Sequence, residues 1–184
     1  MTKFQEILSS SKEEMKNTNS IALSGMFIAI SVVLSLFKID LAPTIQISFA
    51  SLPIAAGGML FGPMVGAAIG IISDILGYIV HPSGFYFPGF TLNAMLIGII
   101  FGFIFYNRKL SLRLVIITSI AVTVIINWGL TTLWLSIMYK NAFFVLLGAR
   151  IIKNIILFPI DTSLLFGVLK LVKKIEFFRN KSVK

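Results

Sequence analysis

From residue 20 to residue 172 the chain is a succession of apolar stretches broken by turn signals and charges, on the scale of the roughly 20 residues a helix needs to cross a bilayer. Six are delimited, at 20–37, 45–61, 64–80, 91–106, 112–138 and 143–172. One soluble core cannot hide so much apolar surface: 57% of the residues are hydrophobic, 12% are charged, and the mean hydropathy is +0.97. The expected fold is therefore an all-α integral membrane protein, a bundle of six transmembrane helices. Gly62-Pro63 leaves space only for a tight hairpin between the second and third spans. The fifth and sixth exceed the minimum length, so tilt or a kink is expected, and Pro159 supplies a cause in the sixth.

Basic residues fix the expected orientation. With the N-terminus in the cytoplasm, Lys3, Lys12, Lys16, Arg108, Lys109, Arg113 and the cluster from Lys170 to Lys184 fall on the inner side, leaving Lys38 and Lys140 for the outer loops. This asymmetry predicts a multi-pass protein of the cell membrane with both termini inside. The net charge of +9 gathers at the ends of apolar segments and not on a soluble face, so it is a topology signal and not a nucleic-acid surface. Residues 1–19 read as a frayed polar cytoplasmic tail, with Phe4, Ile7 and Leu8 as its one short apolar face. Residues 20–174 form one transmembrane domain, and 175–184 a basic cytoplasmic tail.

Within this apolar frame some residues are energetically out of place. Arg150, Lys153 and Asn154 lie in the sixth span, where two cations are costly unless an anion meets them. At 100° per residue Asn154 sits about 40° from Arg150, with Lys153 about 60° to the other side, so the three share one polar sector. Asp161 returns to nearly the same face but about 16 Å further along, and no specific partner is evident for it. Asp74 in the third span falls in the same outer half of the membrane as Arg150 and Lys153. The loop YIVHPSGFYFPGFTLN, from Tyr78 to Asn93, brings Tyr86, Phe87 and Phe90 to that side, and the fifth span brings Trp134.

Two accounts of this cluster stand at this point. Asp74 pairs internally with Arg150 or Lys153, or the outer half holds a pocket for an anionic, aromatic molecule. The surplus cation and the aromatic residues favour the pocket. His81 reads as a loop residue. Asn127, Thr131 and Thr132 read first as hydrogen-bonding groups between helices and second as pocket lining. Small residues mark close helix contacts: Gly66/Gly70 and Gly98/Gly102 suit internal packing, and Ala22, Gly25 and Ala29 share one face of the first span, suited to another membrane subunit.

Catalytic and energy-coupling motifs are missing from the sequence. No GxxxxGK[ST] loop holds a nucleotide, so any ATP hydrolysis must be a partner's. There is no cysteine, a single histidine and no dense acidic motif, so neither a metal nor another cofactor is expected, and an enzyme has little to work with.

Read together and in order, IALSGMFIAISVVLS, ISFASLPIAAGGMLFGPMVGAAIGIISDILG, PSGFYFPGFTLNA, TTLWLSIMYKNAF and ARIIKN resemble the substrate-binding S component of energy-coupling-factor (ECF) vitamin transporters, most closely the folate-type branch. The resemblance implies a non-enzymatic membrane receptor that captures folate from outside. Its partners would be a transmembrane coupling subunit and two cytoplasmic ATPases, whose hydrolysis topples the receptor to release the vitamin inward. It implies that Ala22, Gly25 and Ala29 dock on the coupling subunit, with Gly25 departing from the usual alanine. It also implies a folate site in which Asp74 accepts the pterin's paired N–H donors and Arg150 or Lys153 neutralises the glutamate carboxylates. Tyr78, Tyr86, Phe87, Phe90 and Trp134 would enclose the rings, while Ser73, Asn93 and Asn154 supply neutral hydrogen bonds. An S component for another vitamin such as pantothenate, and a small membrane enzyme or structural subunit binding lipid anions, are the alternatives.

Overall fold

The computed structural model describes residues 3–42, 45–82, 84–140 and 143–182. The ends of the two expected tails, residues 1–2 and 183–184, lie outside the described residues, as do Ser83 in the aromatic loop and Asn141-Ala142 after the fifth span. The elements in chain order are α1 (Lys3–Glu14), α2 (Thr18–Leu36), β1 (Ile39–Ala42), β2 (Ile45–Ile47), α3 (Ser51–Phe61), α4 (Pro63–Val80), α5 (Pro88–Phe105), α6 (Leu112–Val122), a π-helical segment (Thr123–Leu130), α7 (Thr131–Tyr139) and α8 (Phe143–Ser182).

Among the described residues five helices are long and apolar enough to cross a membrane: Thr18–Leu36, Pro63–Val80, Pro88–Phe105, Leu112–Tyr139 and Phe143–Ile175. The expected span 45–61 is not one helix. Ile45–Ile47 pairs antiparallel with Ile39–Ala42, placing Ile39 opposite Ile47 and Asp40 opposite Gln46, and only Ser51–Phe61 is helical. Alternation of isoleucine with Asp40 and Gln46 is a period-two pattern. Pro53, which would interrupt a helix begun at Ile45, is tolerated in the first turn of one begun at Ser51. The all-helical expectation therefore gains a two-stranded hairpin before a half-length helix.

α3 is apolar on every side because it is enclosed on every side. Pro53, Ile54, Ala55, Ala56, Gly57, Gly58, Met59 and Phe61 are all buried, and the helix contacts α2, α4, α5 and α8. Its glycines belong to a backbone-to-backbone crossing. A Cβ on Gly66 would stand 2.6 Å from the Gly98 carbonyl oxygen, one on Gly58 2.5 Å from that same oxygen, and one on Gly102 2.5 Å from the Pro63 nitrogen. The Gly66/Gly70 and Gly98/Gly102 pairs thus pack α4 on α5, as their spacing predicted. Beyond this seam Phe101, Phe105, Val115, Leu165 and Leu169 build the main apolar cluster with Ala55, Ala56 and Met59.

The N-terminal segment is a helix and not a frayed tail. Phe4 stacks on Phe103 with ring centroids 4.6 Å apart. Ser11, fully buried, donates from Oγ to the Phe61 carbonyl (2.9 Å) and accepts from the Met64 amide (3.0 Å). Those two groups flank Gly62, whose φ of +86° makes the α3–α4 turn possible. Glu14 meets the Ser20 hydroxyl, and Asn17 caps α2 by accepting from the Asn19 amide (2.9 Å). α1 thereby marks one end of the bundle, and the β hairpin marks the other.

The fifth expected span is continuous but not uniformly α-helical. Thr131 Oγ1 donates to the Ile126 carbonyl (2.8 Å) and Thr132 Oγ1 to that of Asn127 (3.2 Å), each five residues back, beside the π-helical turns. α8 runs through Pro159 and past the expected end at 172, so that the basic tail continues the same helix to Ser182.

Candidate functional site

A cavity of about 460 Å³ lies between the hairpin and the bundle, lined by α2, α3, α4, α5, the α6–α7 rod and α8. The tie between hairpin and bundle is explicit, since Lys153 Nζ donates to the Gln46 carbonyl at 2.5 Å. Non-helical backbone thus forms part of the chamber's lining and is joined directly to α8.

On α8 the lining residues are Arg150, Lys153, Asn154, Leu157, Phe158, Asp161, Thr162 and Leu165, a stripe at the three- and four-residue spacing of one helix face. Arg150 is buried, 8% exposed. Lys153 lies in the electrostatic field of both Arg150 and Asp161, so Asp161, which had no evident partner in the sequence, belongs to the same charged row.

α4 and the aromatic loop supply the facing wall. Thr91 Oγ1 donates to Asp74 Oδ2 at 2.6 Å, and the Tyr86 hydroxyl lies 2.8 Å from the same Thr91 oxygen. Because threonine has one hydroxyl proton and the carboxylate takes it, Tyr86 must be the donor to Thr91. Tyr78 donates to the Gly84 carbonyl (3.0 Å) and packs beside Tyr86 with centroids 5.2 Å apart. The loop is therefore closed onto α4 by a directed chain of hydrogen bonds. Among the described residues Asp74 is engaged by Thr91 and not by Arg150 or Lys153, so the internal ion pair is not formed.

Of the residues expected to touch a ligand, Ser73, Asp74, Tyr78, Tyr86, Phe87, Phe90, Arg150, Lys153 and Asn154 all line the cavity. Asn93 and Trp134 do not. Trp134 Nε1 donates to Asn93 Oδ1 (3.2 Å), Asn93 Nδ2 donates to Thr131 Oγ1 (3.0 Å), and the Trp134 ring lies 5.6 Å from that of Phe87. The pair stands behind the wall, tying α5 to the α6–α7 rod and backing Phe87.

Ser31 and Ser35 of α2, Gln46 of the hairpin, Ser119 of α6, and Phe158 and Thr162 of α8 line the chamber without having been expected to, and His81, expected only as a loop residue, lines it too. The α8 residues were legible as continuations of the Arg150 face at regular spacing. Those on α2 and the hairpin carried no such signal.

Among the described residues the lining cations are Lys38, Arg150 and Lys153 and the lining carboxylates Asp74 and Asp161. Ser73 Oγ, Ser119 Oγ, Asn154 Nδ2 and Thr162 Oγ1 are buried with no hydrogen-bond partner among the described residues. Buried cationic groups, aromatic side chains and polar atoms without a partner among the described residues thus share one chamber, the mix of features that ligand sites combine.

Comparison with known proteins agrees in kind. The family model for the ECF transporter, substrate-specific component, matches residues 19–169. The chain is 37% identical over 170 residues to the folate transporter FolT of Clostridium novyi (strain NT), spanning 92% of this chain and 98% of that protein. It is 30% identical over 159 residues to FolT of Leuconostoc mesenteroides, spanning 83% and 85% of the two chains. A crystal structure of FolT bound with folic acid superposes with a TM-score of 0.78 at 39% identity, covering 85% of this chain and 98% of that one.

Proposed function

The chain belongs to the family of ECF transporter substrate-specific components, and from that membership we propose that it is the membrane receptor for folate in an ATP-driven vitamin importer. It is a multi-pass membrane protein and a transport subunit, not an enzyme. The observation that carries the folate reading is the pairing of buried Arg150 and hairpin-bound Lys153 with an aromatic wall across one cavity.

In this reading the glutamate carboxylates of folate face Arg150 and Lys153, a guanidinium offering paired donors and an ammonium offering a compact charge. Phe87, Phe90, Tyr78 and Tyr86 enclose the rings, Asn154 and Ser73 supply neutral hydrogen bonds, and Asn93 and Trp134 support the wall from behind. The pterin's donor edge needs a carboxylate, and the cavity wall holds two, Asp74 and Asp161. Pantothenate carries no ring to use the aromatic wall.

The finer architecture follows the same proposal. α3, at about 16 Å for its 11 residues, is too short to cross a core of about 30 Å by itself. With the hairpin it completes a sixth crossing, since non-helical backbone is tolerated at membrane depth where it lines a cavity. Both termini then lie in the cytoplasm, consistent with the basic residues at the α1 end. Coupling is through one transmembrane subunit and two ATPases, docked on α2 where Ala22, Gly25 and Ala29 are all exposed.

Equilibrium binding to the purified protein, with folate, pantothenate and other vitamins in parallel, tests the cargo. Submicromolar folate binding is expected, and a protein that ignores folate but binds another vitamin sinks the proposal.

A further inference from the structure

α1 is fastened at discrete points and otherwise stands clear of the bundle. Ser11, fully buried, enters a notch at the α3–α4 turn, where its hydroxyl bonds both the Phe61 carbonyl and the Met64 amide. The fit is close, since a Cβ on Gly62 would lie 2.7 Å from Ser11 Cβ. Toward the N-terminus Phe4 stacks on Phe103 of α5, and at the joint with α2 Glu14 meets Ser20. Between α1 and the end of α5 lies a cavity of about 270 Å³, lined by Glu6, Ile7, Ser10, Tyr106, Asn107 and Arg108. Glu6, Ser9, Lys12 and Glu13 are exposed, and Phe4 and Met15 keep 56% and 44% of their surface open.

At 12 residues α1 has the length at which isolated helices are marginal in water, so once unseated it also unfolds. It precedes residues 19–169, which carry the family match. Seated, it packs on α4 and α5 and leaves Ala22, Gly25 and Ala29 of α2 exposed, with nothing within 4 Å of a Cβ added at Gly25. Unseated, the same segment hangs from Asn17, close to Ala22 in the chain, and at about 3.3 Å per extended residue it outreaches the roughly 10 Å from Ala22 to Ala29. Ile21 and Met26, 56% and 60% exposed, border that face and offer an apolar surface to Phe4, Ile7, Leu8 and Met15. So short a tether presents the segment at an effective concentration of about a millimolar, which a separate subunit must outcompete.

Resting on the reading that the coupling subunit docks on α2, we propose that α1 is a strap that holds the chain's own N-terminal segment off the docking face. Pinned by Ser11, the segment leaves the face open; released, it covers the cytoplasmic end of the face and blocks the partner. Ser11 is thus a positioning residue for coupling and takes no part in holding the vitamin, since neither it nor its partners line the chamber.

The test uses the full-length receptor with its coupling subunit and ATPases, and reads folate affinity, capture of the coupling subunit and ATP-driven uptake side by side. Ser11→Leu is too large for the notch and forms neither hydrogen bond, so it raises the released population about ten- to a hundredfold, the scale of two hydrogen bonds. Folate affinity should stay within about twofold, as for independent sites, while capture and uptake fall about tenfold, in step with the released population. Because the chain has no cysteine, F4C/F103C can be bridged by a short bis-maleimide that fastens α1 in place. The bridged protein is expected to take up folate like wild type, with or without S11L. Unchanged uptake in S11L, uptake abolished by the bridge, or a bridge that does not rescue S11L each overturns the proposal. If S11L loses folate binding and so does not fold, F4A carries the test: a fall in uptake with folate binding retained supports the strap, and unchanged uptake overturns it. A G25L receptor that couples normally refutes the docking-face reading itself, an outcome distinct from all of these.

Discussion

Arg150→Gln offers a quantitative check on the anion-binding end of the cavity. Arg150 is buried on the cavity-facing stripe of α8, so a carboxylate brought to it sits in a medium far less screening than water. At a separation of about 4 Å and an effective dielectric constant of about 20, the attraction is about 4 kcal/mol. Glutamine keeps a donor and recovers about 1 kcal/mol as a neutral hydrogen bond. The net loss of about 3 kcal/mol corresponds to roughly a hundredfold rise in Kd. Titration calorimetry on the detergent-solubilised protein should show this for folate, while folate with both glutamate carboxylates converted to amides binds wild type and R150Q alike. A change in folate affinity below about threefold, or an equal loss for the amide, refutes the claim that Arg150 meets the ligand's carboxylates.

Two further substitutions separate the parts of the machine. A side chain added at Gly25 meets nothing within 4 Å, so G25L should leave folate affinity unchanged yet abolish ATP-driven uptake in cells carrying the coupling subunits; normal uptake removes the docking face. T91V cuts the Tyr86–Thr91–Asp74 chain and strips a half-buried carboxylate of its donor, which should destabilise the ligand-free protein by about 1–3 kcal/mol. Thermal unfolding without ligand measures it, and an unchanged midpoint argues that the chain does not hold the loop.

What was legible in the sequence followed from chemistry that is costly in an apolar setting. Arg150, Lys153 and Asp74 announced a chamber because hydrocarbon penalises them wherever they fall, and glycine pairs four residues apart announced the α4–α5 seam. Asp161 was visible on the same face, but only the cavity showed that it shares a chamber with them. The second span was misread because Ile45 and Ile47 are as apolar as any helix residue, and hydropathy averaged over a window is blind to the period-two alternation that pairs them with β1. Ser11 gave no signal at all: its partners are backbone groups some fifty residues away, and a buried serine in a polar segment resembles a solvated one. Asn93 and Trp134, expected as ligand contacts, bond to each other and to Thr131 and back Phe87, a network of partners that composition does not encode.

The π-helical turns in the rod from Leu112 to Tyr139 set the phase between its two halves. A wider turn holds more residues per revolution, so Thr131 and Trp134 present themselves at an azimuth that a uniform α-helix continuing from Val122 would not reach. Relaxation of Thr123–Leu130 to ordinary α-helical pitch at unchanged length would rotate everything after it about the helix axis, carrying Thr131 off Asn93 and Trp134 off Phe87. The irregular segment is thus the offset that sets how α6 and α7, two regular helices of one rod, are turned relative to each other.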